Sequence, residues 1–425
     1  MPNPWTQWIA VLHTVGAVFL HDLVPPDLPI ETPLVPRTWF GLDHTTGADR
    51  NQLQGLIRYS WDIRRDTQFE HFMDCLSPSS TPNIWFGHFA LPHFPWDYLP
   101  SGNRYHDDIG LRQEWGMEGP LQERWTDDER IVRQAQQQHL LQTSYTDLLL
   151  GRLIDRMRSL DLYDRCLLIV TADHGVSFRP GLSGREPTDK SLAEIMNVPL
   201  FIKLPGQQRS DTIDLNVETT DILPTILDAI QLKPPTPLPG QSVISDFHER
   251  PRKYFYDDNR TFEVDASFDG RYEVLAEQLA MFGTGKDPLR IFKIGPHPEL
   301  LGRKLSELNL STKSAIEIHP INFAANVDYD PKNIVPAHPE AKIVTQSGTL
   351  PLQFAISINN TIWGTTQTCR AKYLQNYWRC MLPESSFQPG VNQVRVFEID
   401  EADTELKLRE CTVGPQAPAP DLPIE

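Results

Sequence analysis

"LLIVTADHGVSF", residues 167–178, is the stretch on which the reading of this chain turns. Leu167 to Val170 is a short apolar run rich in branched side chains, the pattern of a strand covered on both faces in a parallel sheet. Polarity then changes abruptly at Asp173 and His174. Open α/β sheets bind ligands outside the carboxyl ends of their strands, so this pair falls where such folds place their chemistry. A carboxylate beside an imidazole can ligate Zn²⁺, Mn²⁺ or a similar cation, with Gly175 letting the backbone turn sharply behind them. Taken alone, the three residues read more simply as an Asp that caps a helix and a His on the surface. Context has to decide.

Upstream, from Thr126 to about Leu160, apolar residues recur at helical spacing, as in Leu141, Tyr145, Leu148, Leu149, Ile154 and Met157. Before that helix, "NIWFGHFALPHFPW" reads as a strand, Ile84 to Leu91, that ends in a second polar cluster at His93. An earlier helix is expected around Asn51 to Leu76. Downstream, "VPLFIKLPG" is another strand, and "TTDILPTILDAIQL" is a helix with Asp221 as N-cap and Pro224 tolerated in its first turn. Strand, helix, strand, helix at these spacings predicts a parallel sheet with helical crossovers.

That pattern ends near residue 245, which makes 1–245 one α/β domain. Later segments such as "LPLQFAISINNTIWGT" and "GVNQVRVFEID" alternate in polarity and are rich in β-branched residues. Residues 255–412 therefore read as an accessory, mainly β domain, sandwich-like in roughly its last hundred residues. The Pro-rich end, 413–425, reads as a disordered tail.

Bulk properties narrow the function. With 425 residues, two domains are expected. Lys and Arg number 39 against 56 Asp and Glu, a formal charge of -17, which argues against general binding of nucleic acid or anionic membranes. Hydrophobic residues at 40% and charged residues at 22% suit a globular chain that buries a core. The five cysteines form no zinc-ribbon pattern, and Cys166 reads as a small buried hydrophobe. Cys369 and Cys380 flank a hairpin that a disulfide could close in an oxidising compartment; the sequence leaves that open. The apolar stretch Trp8 to Val24 contains His13, His21 and Asp22 and falls short of the roughly 20 apolar residues of a membrane span, so it reads as a buried helix. No export signal or membrane anchor is visible.

Four stretches occur in one order: "LPHFPW", a helix containing "YTDLLLGRLIDRM", "LLIVTADHG", and "VPLFIKLPG" followed by "TTDILPTIL". Together they resemble the sulfatase-like branch of the alkaline phosphatase superfamily, over roughly residues 80–235. The resemblance implies an α/β fold with an alkaline-phosphatase-like, mostly parallel sheet flanked by helices. It implies that Asp173 and His174 are ligands of a divalent metal (Ca²⁺, Mn²⁺, Mg²⁺ or Zn²⁺). It also implies that His93 lies by the anionic or leaving group of a sulfate- or phosphate-ester substrate. An imidazole there could hydrogen-bond an ester oxygen or protonate the departing alkoxide. The alternative for His93 is a loop residue among prolines. His88 is expected in the core, Lys190 is a weak candidate for substrate contact, Asp147 is expected to fix helix packing, and Asp221 is expected to be a cap.

The resemblance also implies an acidic metal ligand and a Thr, Ser or modified Cys nucleophile upstream of "HFP". Only 92 residues precede His93, with no strand ending in paired acids. "CLSPSS" at Cys75 lacks the Pro and Arg spacing of a sulfatase nucleophile. The sheet is therefore expected to be incomplete at its N-terminus, with the nucleophile and further ligands missing from this chain. Either the native polypeptide is longer, with any membrane anchor in that upstream segment and an extracytoplasmic location then favoured, or the chain is a relative without catalysis. Three functions follow: a metal-dependent hydrolase or transferase of sulfate or phosphate esters, an inactive binding or scaffold protein of the same fold, and, on fold analogy alone, carbohydrate binding by the β domain.

Overall fold

The computed structural model describes residues 65–80, 83–105, 117–118, 124–234, 236–245, 247–257, 260–344, 351–370, 374–401 and 406–418. The chain divides into two compact units, Met1–Gln68 with Ile109–Leu111, and Phe69–Asp108 with Arg112–Glu425. The described residues belong to the second unit, apart from 65–68. The apolar stretch Trp8 to Val24 and most of the helix expected from Asn51 lie outside the described residues. Among the described residues, no helix is long and apolar enough to cross a membrane.

Helix α1 spans Arg65–Cys75 and α2 spans Glu129–Ser159. Asp128 starts α2: its carboxylate accepts the backbone N–H of Arg130 at 3.2 Å, and Glu129 follows in the first turn. Arg156 and Arg158 stand in the last turn, where cations suit the helix dipole. Of the periodic residues, Leu141, Tyr145, Leu149 and Met157 are buried, Ile154 is half-buried and Leu148 is exposed. Leu149, Leu153 and Met157 pack with Phe69 and Met73 of α1.

Strand β1, Leu168–Thr171, pairs with β2, Leu200–Lys203. The ladder is antiparallel, with Leu168 opposite Lys203 and Thr171 opposite Leu200. This corrects the parallel pairing expected from the sequence. The link from 172 to 199 contains only a five-residue helix, α3, Leu192–Met196. It returns the chain to the end of β1 that it left, whereas a parallel pairing needs a crossover to the opposite end. The two strands are also not covered on both faces: β1 is half-buried with Thr171 exposed, and Phe201 of β2 is 64% exposed. Ile84 to Leu91, expected as a strand, has no ladder partner among the described residues, and Ile84 and Phe86 are exposed.

Helix α4, Ile222–Ala229, is followed by a hairpin of β3, Arg252–Asp257, and β4, Arg260–Asp265, then by α5, Gly270–Phe282. The C-terminal region is mainly β. Strands β5 (Glu317–Pro320), β6 (Asn326–Tyr329), β7 (Glu340–Ile343), β8 (Gln353–Ile358), β9 (Thr361–Gln367), β10 (Tyr377–Arg379), β11 (Gly390–Asp400), β12 (Lys407–Glu410) and β13 (Thr412–Val413) form two sheets, in the orders β9-β8-β11-β12 and β10-β7-β5-β13, with β6 on β11.

Alternation along β8 and β11 sends Phe354, Ile356, Val394 and Val396 inward, against Ile318, Ile343 and Trp378 of the other sheet. The rings of Phe354 and Trp378 stack at 5.7 Å. The same apolar interior takes in Leu99, Tyr105 and Leu141 of α2. From residue 413, where a tail is expected, the chain stays in the fold as far as Ala417. β13 runs parallel to β5, and the N–H groups of Gly414 and Ala417 donate to Ile318 and Pro320. Residues 419–425 lie outside the described residues. Cys369 and Cys380 are free thiols, and burial pushes each up to about 12.

Candidate active site

Asp173 and His174 stand just beyond the end of β1, with side chains 54% and 27% exposed. Asp173 Oδ1 accepts the backbone N–H of His174 at 2.9 Å, and Oδ2 lies 3.8 Å from His174 Nε2. His174 Nδ1 is 2.7 Å from the carbonyl of Gly175, while Nε2 is 3.0 Å from Nη2 of Arg185. A carbonyl only accepts and a guanidinium only donates. One tautomer satisfies both, with the proton on Nδ1 and the lone pair on Nε2. Nε2 and Oδ2 are thus two neighbouring electron-pair donors at the end of a strand.

The turn carrying Arg185 is held by Ser183, whose Oγ accepts the N–H groups of Arg185 and Glu186 at 3.2 and 3.0 Å. Gly175 is required by close approach. Its N–H donates to Ile195 at 2.6 Å, and a Cβ at this position would meet the carbonyl oxygen of Glu194 at 2.2 Å. Ser177 Oγ and Arg179 Nε donate to Glu194 Oε2 at 2.7 and 2.9 Å. Burial still pushes the Glu194 carboxyl above its ordinary range, against the pull of those two donors.

His93 is half-buried in a loop whose Leu91–Pro92 and Phe94–Pro95 peptide bonds are cis, and its Nδ1 lies 2.6 Å from the carbonyl of Phe94. Gln142, wholly buried on α2, fixes this loop. Its Oε1 accepts the N–H groups of Asp97 and Tyr98 at 2.9 and 3.4 Å, and its Nε2 donates to the carbonyl of His93 at 2.8 Å.

Trp96 stacks on Trp125 at 6.4 Å and packs against Phe178 at 5.6 Å, and Trp125 Nε1 donates to the carbonyl of Ser177 at 2.7 Å. This aromatic cluster links the His93 loop to the loop after Asp173. Among the described residues there is no direct bond between His93 and Asp173 or His174. His139 of α2 meets Trp96 edge-on at 5.9 Å. Burial, with His93 nearby, lowers His139 to about 4, which keeps it neutral.

His88, expected in the core, is exposed, as are Lys190 and Asp147. Cys75 is an exposed thiol at the end of α1. Asp221 stands at the N-cap of α4, as expected, but its side chain makes no capping bond to that helix: it accepts the N–H groups of Glu218 and Gln241 and binds Arg250. Gln142, His139 and Arg185 were not singled out from the sequence. Gln142 and His139 read as the polar side of a helix, and Arg185 sits in a loop with no pattern around it.

The donor types and the tautomer at Asp173 and His174 fit a divalent cation. The number does not complete a site, since Zn²⁺ takes three or four ligands and Ca²⁺ more. Among the described residues, no group of three or more His, Cys, Asp or Glu side chains could hold a metal ion.

Sequence comparison bears on the same stretch. Residues 39–232 match the family model described as Sulfatase. The chain is 25% identical to an ulvan-active sulfatase of Formosa agariphila over 176 residues, 40% of this chain and 33% of that protein. It is 33% identical to arylsulfatase K of Bos taurus over 105 residues, 24% of this chain and 19% of that protein. It is 22% identical to an endo-4-O-sulfatase of Bacteroides thetaiotaomicron over 136 residues, 32% of this chain and 26% of that protein. The chain thus covers a third or less of the length of these relatives. The resemblance to the sulfatase branch of the alkaline phosphatase superfamily is borne out, and the α/β character of the matched region agrees with it.

Proposed function

We propose that this chain carries part of the active site of a metal-dependent sulfate-ester hydrolase, in which Asp173 and His174 supply two ligands to a divalent cation. The observation that carries this reading is the placement of His174 beside Asp173 at the end of β1, with Nδ1 2.7 Å from the carbonyl of Gly175 and Nε2 3.8 Å from Asp173 Oδ2. A proton on Nδ1 is shared with the carbonyl of Gly175, and the Nε2 lone pair lies beside Asp173 Oδ2, where it accepts from Arg185 until a cation displaces that guanidinium. When bound, the cation would neutralise charge on the transferred group and activate a nucleophile. The nucleophile and the other ligands are assigned to residues outside the described ones.

His93 is assigned to the substrate. With Nδ1 engaged by Phe94, any proton it passes to a departing oxygen goes through Nε2. Gln142 holds that loop in place, and the neutral His139 adds no competing charge. Sulfate is preferred over phosphate because the named relatives are sulfatases. The division into 1–245 and 255–412 is proposed on the change of composition along the chain, with the two parts sharing an apolar interior.

The test is titration of the full chain with Mn²⁺, read by electron paramagnetic resonance, alongside turnover of an aryl sulfate and an aryl phosphate. One saturable site is expected, lost in Asp173→Ala and in His174→Ala, with aryl sulfate the better substrate. Binding that survives both substitutions would overturn the assignment.

A second reading, an inactive binding or scaffold protein, is favoured by Arg185, whose guanidinium already stands 3.0 Å from His174 Nε2. It predicts no Mn²⁺ binding by the unaltered chain and no turnover of either ester. Arg185→Ala separates the two, because only the first reading expects tighter Mn²⁺ binding when the guanidinium is removed.

A further inference from the structure

A small cleft, open to solvent, lies between the first turns of α2 and the end of β9. Arg130, Arg133, Gln134 and Gln137 line one wall, at the i, i+3, i+4, i+7 spacing of a single helix face. Thr365 and Gln367 line the other. A polar helix face turned toward a buried strand is unusual, and most of its groups are accounted for. Gln134 Nε2 donates to the carbonyl of Arg379 at 2.8 Å, and Gln137 Nε2 to that of Ile291 at 2.8 Å.

Three groups are not. Nη1 of Arg130, Nε of Arg133 and Oγ1 of Thr365 are buried and have no hydrogen-bond partner. Thr365 is 4% exposed. A guanidinium cannot lose its proton to escape this, so both arginines keep a donor facing nothing. A Cβ at Gly295, on the rim, would lie 2.5 Å from Thr365 Oγ1 and 2.0 Å from the Thr365 carbonyl oxygen, so only glycine leaves that hydroxyl uncrowded.

We propose that this cleft binds a tetrahedral oxyanion, a sulfate or phosphate group either free or carried on a small polar molecule, at a site separate from Asp173 and His174. Two guanidinium donors and a hydroxyl are the groups such an anion recruits, and the positive end of α2 adds to the attraction. The nearby carboxylates do not cancel it. Asp128 occupies Nε and Nη2 of Arg130, and Glu129 occupies Nη2 of Arg133, which leaves other edges of both guanidinium groups to the ligand.

The experiment is calorimetric titration of the full chain with sodium sulfate and, separately, with sodium phosphate, in chloride buffer at constant ionic strength. Saturable binding of at least one anion is expected, weakened about tenfold or more by Arg133→Gln and by Thr365→Val, and unchanged by Asp173→Ala. The tighter of the two anions names the source. Thr365→Val should melt at or above the temperature of the unaltered protein, because its hydroxyl has no partner to lose, so weaker binding in that variant is not loss of the fold. No saturable heat with either anion, or equal affinity in Arg133→Gln and Thr365→Val, overturns the proposal. So does binding lost only in Asp173→Ala, which would assign the anion to the candidate active site instead.

Discussion

Replacing Asp221 by Asn tests whether the segment after β2 is held by one buried ion pair. The Asp221 side chain has no exposed surface and accepts four hydrogen bonds: from the N–H groups of Glu218 and Gln241 at 2.9 and 2.8 Å, and from Nη1 and Nη2 of Arg250 at 2.9 and 2.6 Å. Asparagine fits the space but turns one acceptor into a donor that faces N–H groups, and it removes the counter-ion of Arg250. Breaking a buried pair from one side costs about 3–5 kcal/mol. Arg250 is 21% exposed and can recover some hydration, which puts the expected loss near the lower limit, about 3 kcal/mol.

The assay is urea unfolding of the full chain followed by circular dichroism. Arg250→Met should cost a similar amount, and the double variant should cost at least about 1 kcal/mol less than the two losses added together. The pH dependence gives an independent check. Burial alone would raise the Asp221 carboxyl, but Arg250 and the two backbone donors outweigh it and hold the group below its ordinary value of 3.8. A carboxyl depressed in the fold contributes stability that is complete above its unfolded pKa and is lost as pH falls through the folded one. The penalty of Asp221→Asn should therefore be constant from neutral pH down to about 5 and shrink below about 4. Losses under about 0.5 kcal/mol for either single variant, or strict additivity, would refute the argument.

Gly175→Ala forces a Cβ against the carbonyl oxygen of Glu194, and a thermal melt should show a loss of roughly 1–3 kcal/mol, with weaker Mn²⁺ binding. Gln142→Leu removes the buried amide that bonds the N–H of Asp97 and the carbonyl of His93, with an expected cost of about 1–3 kcal/mol by urea unfolding. His139 titrates near 4 in the fold against 6.5 unfolded, so unfolding takes up a proton between those values. Stability should fall as pH drops through that window, and the fall should be shallower in His139→Phe. Burial raises Glu194, so its contribution is present below the unfolded value of 4.5 and is lost as pH rises through the folded pKa. The melting temperature of Glu194→Gln should gain on that of the unaltered protein across that rise.

Much of the site could be read in the sequence because its signals are local. The polarity break at Asp173 marks the end of a strand, the 3.6-residue spacing of Leu141, Tyr145 and Leu149 marks α2, and alternation along "GVNQVRVFEID" marks β11. Pairing direction is not a local property. Nothing within "LLIVT" or "VPLFIK" says on which side the intervening loop returns, and the antiparallel β1–β2 ladder follows from that loop. Burial failed for a related reason. Ile84 and Phe86 carry the side chains of a core strand, yet both are exposed because no neighbouring strand covers them among the described residues. Gln142 shows the opposite case. A glutamine in a helix reads as solvated, and only the fold reveals three backbone groups arranged around its amide.

The interior shared by Leu99, Tyr105, Leu141 and the β sheets bears on how the gene product can be taken apart. A protease nick in the link between α4 and β3 would sever the chain but not the molecule, since both fragments keep one apolar interior between them. The nick would pass unnoticed in gel filtration and show only under denaturant. Grafting the C-terminal sheets onto another scaffold would expose the patch that these three residues cover, so a viable transplant has to carry its own replacement for α2 and for the loop that holds Leu99 and Tyr105.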